Sequence, residues 1–290
     1  MATDGADYRG QIKDLVSDPL NQATFGGFKE MNFKTIELAY DSGAATITLN
    51  RPEKRNAISF ELIHDLLRAL DEVTQSDAIV LILTGAGKAF CSGLDLDNLK
   101  ALLGRSPEDN LKDSQIMVQL FRSLYEFPKV TIAAVNGPAI AGGTGLALLC
   151  DFTLAAADAK FGYTEVRIGF VPAIVSTFLL RQVGEKQARD LLLTGRIFGA
   201  EEAYRMGLVS EIVQAENLMA RARELSALLM GNSSASLRAT KQLLTDHARA
   251  ELDAQIEAAV RENAAIRTTA DFREGISSFL DKRKPVWTGK

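Results

Sequence analysis

Two glycine-rich segments hold residues whose types and spacing could do chemistry: "TGAGKAFCSGLDL" (84–96) and "NGPAIAGGTGL" (136–146). Glycine lets a ligand approach the main chain closely, and a helix start offers unpaired amides with a favourable dipole. Two such amides converging on one point would form an oxyanion hole, which stabilises negative charge developing on a carbonyl oxygen. The second segment carries no acid, base or nucleophile stronger than Thr144. The same glycines could instead serve turns and tight strand–helix packing, and for either segment alone both readings stand. Neither has the G-x-G-x-x-G spacing, so a dinucleotide site is not indicated.

Other reactive types are sparse. His64 and His247 have no cysteine or carboxylate at metal-ligand spacing and read as surface or boundary residues. Ser92 has no histidine near it in sequence, which counts against a serine triad, although triads assemble from distant segments. Cys91 and Cys150 sit in apolar or glycine-rich surroundings and read as reduced, buried thiols rather than a disulfide framework.

The elements that must position these segments follow from the hydropathy pattern. "KTIELAY" and "AATITLN" flank Asp41-Ser42-Gly43 as a hairpin, and Arg51-Pro52 ends the second strand. Ser59 reads as a helix N-cap, with Phe60, Ile63, Leu66, Leu67, Leu70 and Val73 on one face. "AIVLILTG" (78–85) and "VTIAAVNG" (130–137) are continuously apolar and end in glycine, as fully buried strands do. Each feeds one glycine-rich segment. Residues 97–113 between them are polar and read as a surface segment over the site. Beyond about residue 184, "EKQARDLLLTG", "AEEAYRMG", "AENLMARARELSALLM", "SLRATKQLLTDH" and "LDAQIEAAVRENAAI" read as helices. The expected organisation is an extension over 1–30, an α/β core over 31–225 and a helical part over 226–290.

Composition narrows the function classes. A net charge of −4 argues against a broad nucleic-acid face, and the apolar runs are too short to span a bilayer. The amino terminus resembles no export or transit signal, so a cytoplasmic enzyme is the default expectation.

At this point the chain resembles the crotonase, or enoyl-CoA hydratase/isomerase, superfamily over nearly all of residues 31–290. The matching stretches, in order, are "LNRPEKRNAIS", "LTGAGKAFCSGLDL", "AAVNGPAIAGGTGLALLCDFTLAAADAKFGYTEVRIGFVP", "LLTGRIFGAEEAYRMGLV" and "FREGISSFLDKRKPVW". The resemblance implies a crotonase/ClpP-like α/β core of stacked ββα units with a C-terminal helical trimerisation part. It implies acyl-CoA chemistry through a thioester enolate, with no cofactor beyond the CoA moiety and a homotrimer or hexamer as the assembly. The amides of Leu94 and Gly142 would form the oxyanion hole. Lys54, Arg55 and Ala57 would bind CoA, with Cys91, Ser92, Gly93 and Asp95 beside the pantetheine and Gly143 and Gly145 lining the site. Phe279 and Lys282 match positions that contact CoA from a neighbouring subunit, although "DKRK" also reads as a solvated basic end.

One departure matters more than any match. Hydratases of this family carry two glutamates; the position of the first is Gly145 here, and the second is Glu165 in "FGYTEVRIG". A single carboxylate can shuttle a proton between α and γ carbons, the Δ3-to-Δ2 isomerisation, while overall resemblance points to hydration of 2-enoyl-CoA. Glu165 would be the general acid/base, its pKa raised by an apolar pocket; the alternative is a salt bridge to Arg167. Asp95, Asp97, Tyr163 and Thr164 are the nearby candidates to replace the absent acid, with Asp95 also expected to cap the next helix. Ala173, Ile174 and Val175 depart from the family's glycine-rich form and should reshape the acyl pocket. A Gly145→Glu change is expected to raise hydration if the missing acid is the only defect. A non-catalytic subunit that binds CoA or a partner is the reading of another class.

Overall fold

The computed structural model describes residues 32–290; the expected extension over 1–30 lies outside the described residues. Strands β1 (Ile36–Asp41) and β2 (Ala44–Leu49) form the expected antiparallel hairpin. Ser42 (φ 48°) and Gly43 (φ 83°) both take the positive φ that a tight hairpin turn demands. The buried run 78–85 supplies β3 (Val80–Gly85), and 130–137 supplies β4 (Val130–Val135). Every residue of both is buried, because they occupy the centre of a six-stranded sheet of order β1-β2-β3-β4-β6-β9, parallel except for the hairpin.

Between β2 and β3, helix α1 (Phe60–Gln75) is capped by Ser59, whose hydroxyl accepts from the Leu62 N–H at 3.1 Å. Its buried face includes Ile63, Leu66, Leu70 and Val73 as expected. Leu62 and Ala69 join it, whereas Phe60 and Leu67 are only partly buried. Asp65 on this face accepts from the Lys34 N–H, the Thr35 N–H and the Thr35 hydroxyl, tying the helix to the chain entering β1.

The polar stretch 97–113 is not a plain surface segment. It folds as α2 (Leu96–Ala101), a short turn of 3-10 helix and the start of α3 (Pro107–Tyr125), and Leu99 and Leu102 are buried. After β4 come β5 (Ala139–Ile140), α4 (Gly142–Leu148), β6 (Phe152–Ala156) and β7 (Lys160–Gly162). β5 pairs with β7, which pairs with β8 (Ile197–Gly199) in a small second sheet. That pairing brings the second glycine-rich segment beside the 3-10 turn Glu165–Ile168.

The remainder is largely helical, as the pattern predicts. α5 (Ala173–Thr194) is two helical segments joined at Gly184, and Gly195 ends it in the left-handed conformation. α6 (Ala200–Arg205), β9 (Glu211–Val213), α7 (Leu218–Met230), the 33-residue α8 (Ser234–Ile266) and α9 (Ala270–Leu280) follow. Residues Phe33–Lys290 form one compact unit, and α7 runs through position 225. α9 packs onto its own chain: Phe272 and Ile276 are buried with Leu99 and Leu102, against Leu94, Ile168 and Phe170.

Candidate active site

The oxyanion-hole reading needs two free amides held side by side. Ile58 donates to the Gly93 carbonyl at 2.7 Å and accepts from the Asp95 N–H at 2.9 Å, so the intervening Leu94 N–H faces the other way. On that other side the 91–94 segment is bonded to the second glycine-rich segment. Phe90 and Cys91 donate to the Pro138 carbonyl, and the Ile140 N–H donates to the Cys91 carbonyl at 2.9 Å. Glycines make this approach possible. A Cβ on Gly143 would lie 2.1 Å from the Cys91 carbonyl oxygen, and Gly93, at φ 86°, presses against Ile140 and Ala141. Neither the Leu94 N–H nor the Gly142 N–H donates to any described residue.

Ala141, immediately before Gly142, holds φ 51° and ψ −122°, a conformation that costs a residue with a Cβ about 1–3 kcal/mol. Its own N–H donates to the Gly162 carbonyl at 2.7 Å, which pins the strained residue to β7. The Thr144 hydroxyl lies 2.6 Å from the Ala139 carbonyl and accepts from the Gly162 N–H at 3.1 Å. It is fully buried and used up in this brace, which removes it as a nucleophile.

Glu165 opens the turn after β7 and is 8% exposed. Burial pushes its carboxyl up to about 7, partly offset by a hydrogen bond from its own main-chain N–H. No described basic residue lies within ion-pair distance of it, Arg167 included, and its buried Oε2 has no hydrogen-bond partner. A buried carboxylate without a counter-charge is unfavourable for stability and suited to taking and returning a proton near neutral pH.

The wall opposite explains the position where hydratases of the resembled family carry their first glutamate. A Cβ on Gly145 would lie 2.9 Å from Val175 Cγ1 and 3.2 Å from the Phe121 ring. The space is filled by side chains from α5 and α3, so Gly145→Glu would create a clash before it created an acid. The condition attached to the expected gain of hydration, that the missing acid is the only defect, is not met, because the packing around Gly145 differs as well. Val175 and Phe121 are the residues that sequence reasoning missed as an interacting pair; the "VPAIVST" departure pointed to Val175, but only packing reveals its neighbour.

The expected CoA strip lies at the first motif. Lys54 ends a 3-10 turn and Arg55 follows in left-handed conformation (φ 51°), with both side chains exposed. The Lys54 ammonium is 3.4 Å from Asp97, and the Arg55 carbonyl accepts from the Ser92 N–H at 3.1 Å. Ala57 is buried, and its carbonyl accepts from Arg51 at 2.7 Å. Asn56, which the motif reading passed over, is wholly buried. It accepts from the Arg51 N–H and donates to the Ala86 and Ala89 carbonyls at 2.9 and 2.8 Å.

Two expected contact residues have other roles. The Cys91 thiol is wholly buried and pushed up to about 12 by that burial, so it cannot touch a ligand; only its carbonyl serves the site. Asp95 caps α2 by accepting from the Asp97 N–H at 2.9 Å and pairs with Arg51 at 2.8 Å, which leaves its buried carboxylate no free face for substrate. Burial would raise its pKa, but the Asp97 N–H, Arg51 and Lys54 outweigh burial and lower it. That commitment also removes Asp95 as a substitute acid. Asp97 is exposed on Lys54. Phe279 is half exposed near the end of α9, and Lys282 follows it in left-handed conformation. His64 and His247 are exposed, and no metal-ligating cluster occurs among the described residues. A separate groove of about 320 Å3, lined by Glu126, Pro128, Arg238 and Gln242, contains no part of this constellation.

With this geometry in view, the family model for enoyl-CoA hydratase/isomerase matches residues 39–290. An inferred enoyl-CoA hydratase of Thermus thermophilus is 45% identical over 83% of this chain and 96% of its own length. The 1,2-epoxyphenylacetyl-CoA isomerase of Escherichia coli is 36% identical over 86% of this chain and 97% of its own. Among solved structures, an enoyl-CoA hydratase/isomerase from Xanthobacter autotrophicus superposes with a TM-score of 0.81 at 29% identity, covering 87% of this chain and 98% of that one.

Proposed function

The chain belongs to the enoyl-CoA hydratase/isomerase family, and from that premise we propose that it is a one-base enzyme that moves the double bond of an enoyl-CoA between the β,γ and α,β positions. The observation that carries this choice within the family is the filled space at Gly145, which leaves Glu165 as the single carboxylate of the constellation.

The step balances with one proton. Glu165, as carboxylate, takes a proton from Cα of a 3-enoyl thioester; the electron pair passes into the carbonyl and leaves negative charge on its oxygen. The Leu94 and Gly142 amides donate to that oxygen, already oriented and without another acceptor to abandon. The protonated Glu165 then returns the proton to Cγ, the electrons move back, and the 2-enoyl thioester results. A carboxyl poised at about 7 suits both halves, since it is neither too weak to take the proton nor too strong to release it. Lys54 and Arg55, exposed at the rim, supply positive charge for the CoA phosphates, and the reaction uses no cofactor beyond CoA. Assembly as a homotrimer or hexamer and action in the cytoplasm belong to the same proposal.

Hydration of 2-enoyl-CoA is the second reading, favoured by the hydratase names of relatives such as the crotonyl-CoA hydratase of Syntrophomonas wolfei, 32% identical over 90% of this chain. Product analysis by mass spectrometry separates the two. Double-bond migration from the 3-enoyl substrate without mass change is the expected result; gain of one water from the 2-enoyl substrate would establish hydration instead.

A further inference from the structure

A buried ionic cluster that the proton transfer does not use joins the start of α3 to the end of α8. Asp113 sits there between two arginines. Its Oδ1 is 2.9 Å from Arg105 Nη1, and its Oδ2 is 3.5 Å from Arg267 Nη1. Arg267 is buried as well and donates to the Asn263 side chain at 2.7 Å. In both members burial outweighs their mutual attraction: it raises the Asp113 carboxyl above its ordinary range and lowers Arg267 to about 10. Such a pair adds little net stability, and apolar packing would serve as well. What it does supply is geometry, because each arginine lies over a phenylalanine ring. Arg105 stands 5.0 Å from the centre of Phe60, and Arg267 stands 5.4 Å from the centre of Phe170. The two rings belong to the two halves of the proposed site. Phe60 is two residues beyond Ile58, whose N–H and carbonyl are bonded to Gly93 and Asp95 on either side of the Leu94 amide. Phe170 closes the turn that Glu165 opens, its N–H donating to the Glu165 carbonyl at 3.0 Å.

We infer that Asp113, acting through Arg105 and Arg267, is a positioning residue that fixes the separation between the Leu94 amide and the Glu165 carboxylate. The inference rests on the enoyl-CoA reading above and deepens it. One link between the two halves runs through the main chain, where the Ile140 N–H meets the Cys91 carbonyl and the Ala141 N–H meets the Gly162 carbonyl. A single line of contacts leaves a hinge. The second link, from Phe60 through Arg105, Asp113 and Arg267 to Phe170, removes it. The substrate oxygen is held at one half and its carbon exchanges protons at the other, so an error in their spacing falls on the reacting atoms. A misplacement on the order of 1 Å costs about 100-fold in rate. Both carboxylate oxygens of Asp113 are engaged, one by each planar guanidinium, and each guanidinium keeps a face for its ring.

The test compares the full-length protein with Asp113→Asn, Arg267→Met and the double variant. Steady-state kinetics use 3-enoyl- and 2-enoyl-CoA, normalised to the folded fraction, and calorimetry gives the dissociation constant of butyryl-CoA. In Asp113→Asn, kcat should fall by about 10- to 100-fold, while KM and the butyryl-CoA constant move by less than about 2-fold. Adding Arg267→Met to Asp113→Asn should cost less than about 3-fold more, because the link is already cut. Should Asp113→Asn not fold, Arg105→Met breaks the other arm at a partly exposed residue and should show the same split between kcat and KM. A variant with lowered stability but unchanged kcat per folded molecule would overturn the positioning role and leave the enoyl-CoA reading standing. Fully multiplicative losses in the double variant would overturn the link through Asp113. Absence of turnover of either substrate by the unmodified protein would overturn the enoyl-CoA reading, and the positioning role with it.

Discussion

Two polar regions a few residues from the proposed oxyanion hole are built on opposite principles. Around the first motif, Asn56, Arg51 and Asp95 exchange hydrogen bonds among themselves and with the Ala57, Ala86 and Ala89 carbonyls. Each is committed to a protein partner. Around the turn after β7, Glu165 keeps an unpartnered Oε2 in a buried site. Satisfied networks fix a backbone; orphaned buried groups are retained at a cost that a ligand can offset. The first region is therefore a frame, and the second is where chemistry is expected.

The largest test of that contrast is Glu165→Gln. Turnover should fall by about 10²- to 10⁴-fold, the usual span for loss of a general base, while the acyl-CoA dissociation constant changes little. Stability should move the other way. Glu165 has its carboxyl raised in the folded protein from the ordinary carboxylate range to about 7, so the folded state binds more protons than the unfolded one between those values. Its contribution to stability is present at low pH and is lost as pH rises to about 7. Removing the charge should stabilise the protein above that pH, by an amount on the order of 3 kcal/mol at most, and leave it unaltered near pH 4. A variant that is inactive and less stable at pH 8 would mean that Glu165 belongs to a frame after all. In the unmodified enzyme, kcat/KM should rise with pH through about 7 as the base ionises.

Asn56→Ala attacks the frame instead. It strands the Ala86 and Ala89 carbonyls and removes the acceptor for the Arg51 N–H, at about 1 kcal/mol or more for each lost partner. Asn56 also holds φ 54°, which alanine tolerates less well. The expected loss is about 2–4 kcal/mol of unfolding free energy by denaturant titration, with the pH dependence of kcat/KM unmoved in whatever fraction remains folded. A shifted pH profile would join the two regions into one device and break the comparison.

Between these extremes lies Gly145→Glu. Against the Val175 and Phe121 side chains it should cost roughly 1–3 kcal/mol and yield no hydration. Gly145→Glu combined with Val175→Ala relieves the closest contact and is the variant in which water addition should first appear by mass spectrometry. Hydration by the single variant would show that the wall yields more readily than its packing indicates.

How much of this was legible in the sequence divides along the same line. The two buried strands, their glycine-rich exits, the Ser59 cap and the single retained glutamate are local patterns, and local patterns read well. The fate of Gly145 did not, because an absent side chain says nothing about what fills its place. Val175 and Phe121 arrive from different helices, and their meeting is a product of tertiary packing. The burial of the Cys91 and Asp95 side chains was hidden for a related reason. They flank Ser92 to Leu94 in sequence, but both side chains turn to the interior, where Asp95 caps α2 and pairs with Arg51. The stretch 97–113 looked like surface because its charges outnumber its leucines, yet Leu99 and Leu102 are the residues that α9 covers.

The smallest expected effect sharpens the comparison at the rim. Lys54→Ala with Arg55→Ala removes two exposed cations whose charges the fold does not need: Lys54 loses a 3.4 Å surface pair with Asp97, and the Arg55 side chain is exposed. Surface pairs contribute little to stability, so the unfolding midpoint should stay within a degree or two. Contacts to CoA phosphates would be made equally before and during the proton transfer. Their loss should then raise KM by about 3- to 10-fold and leave kcat unchanged. The rise should shrink in high salt, since exposed charges are screened there. A fall in kcat instead would mean that binding at the rim helps align Cα with Glu165, and that the frame carries part of the catalytic geometry.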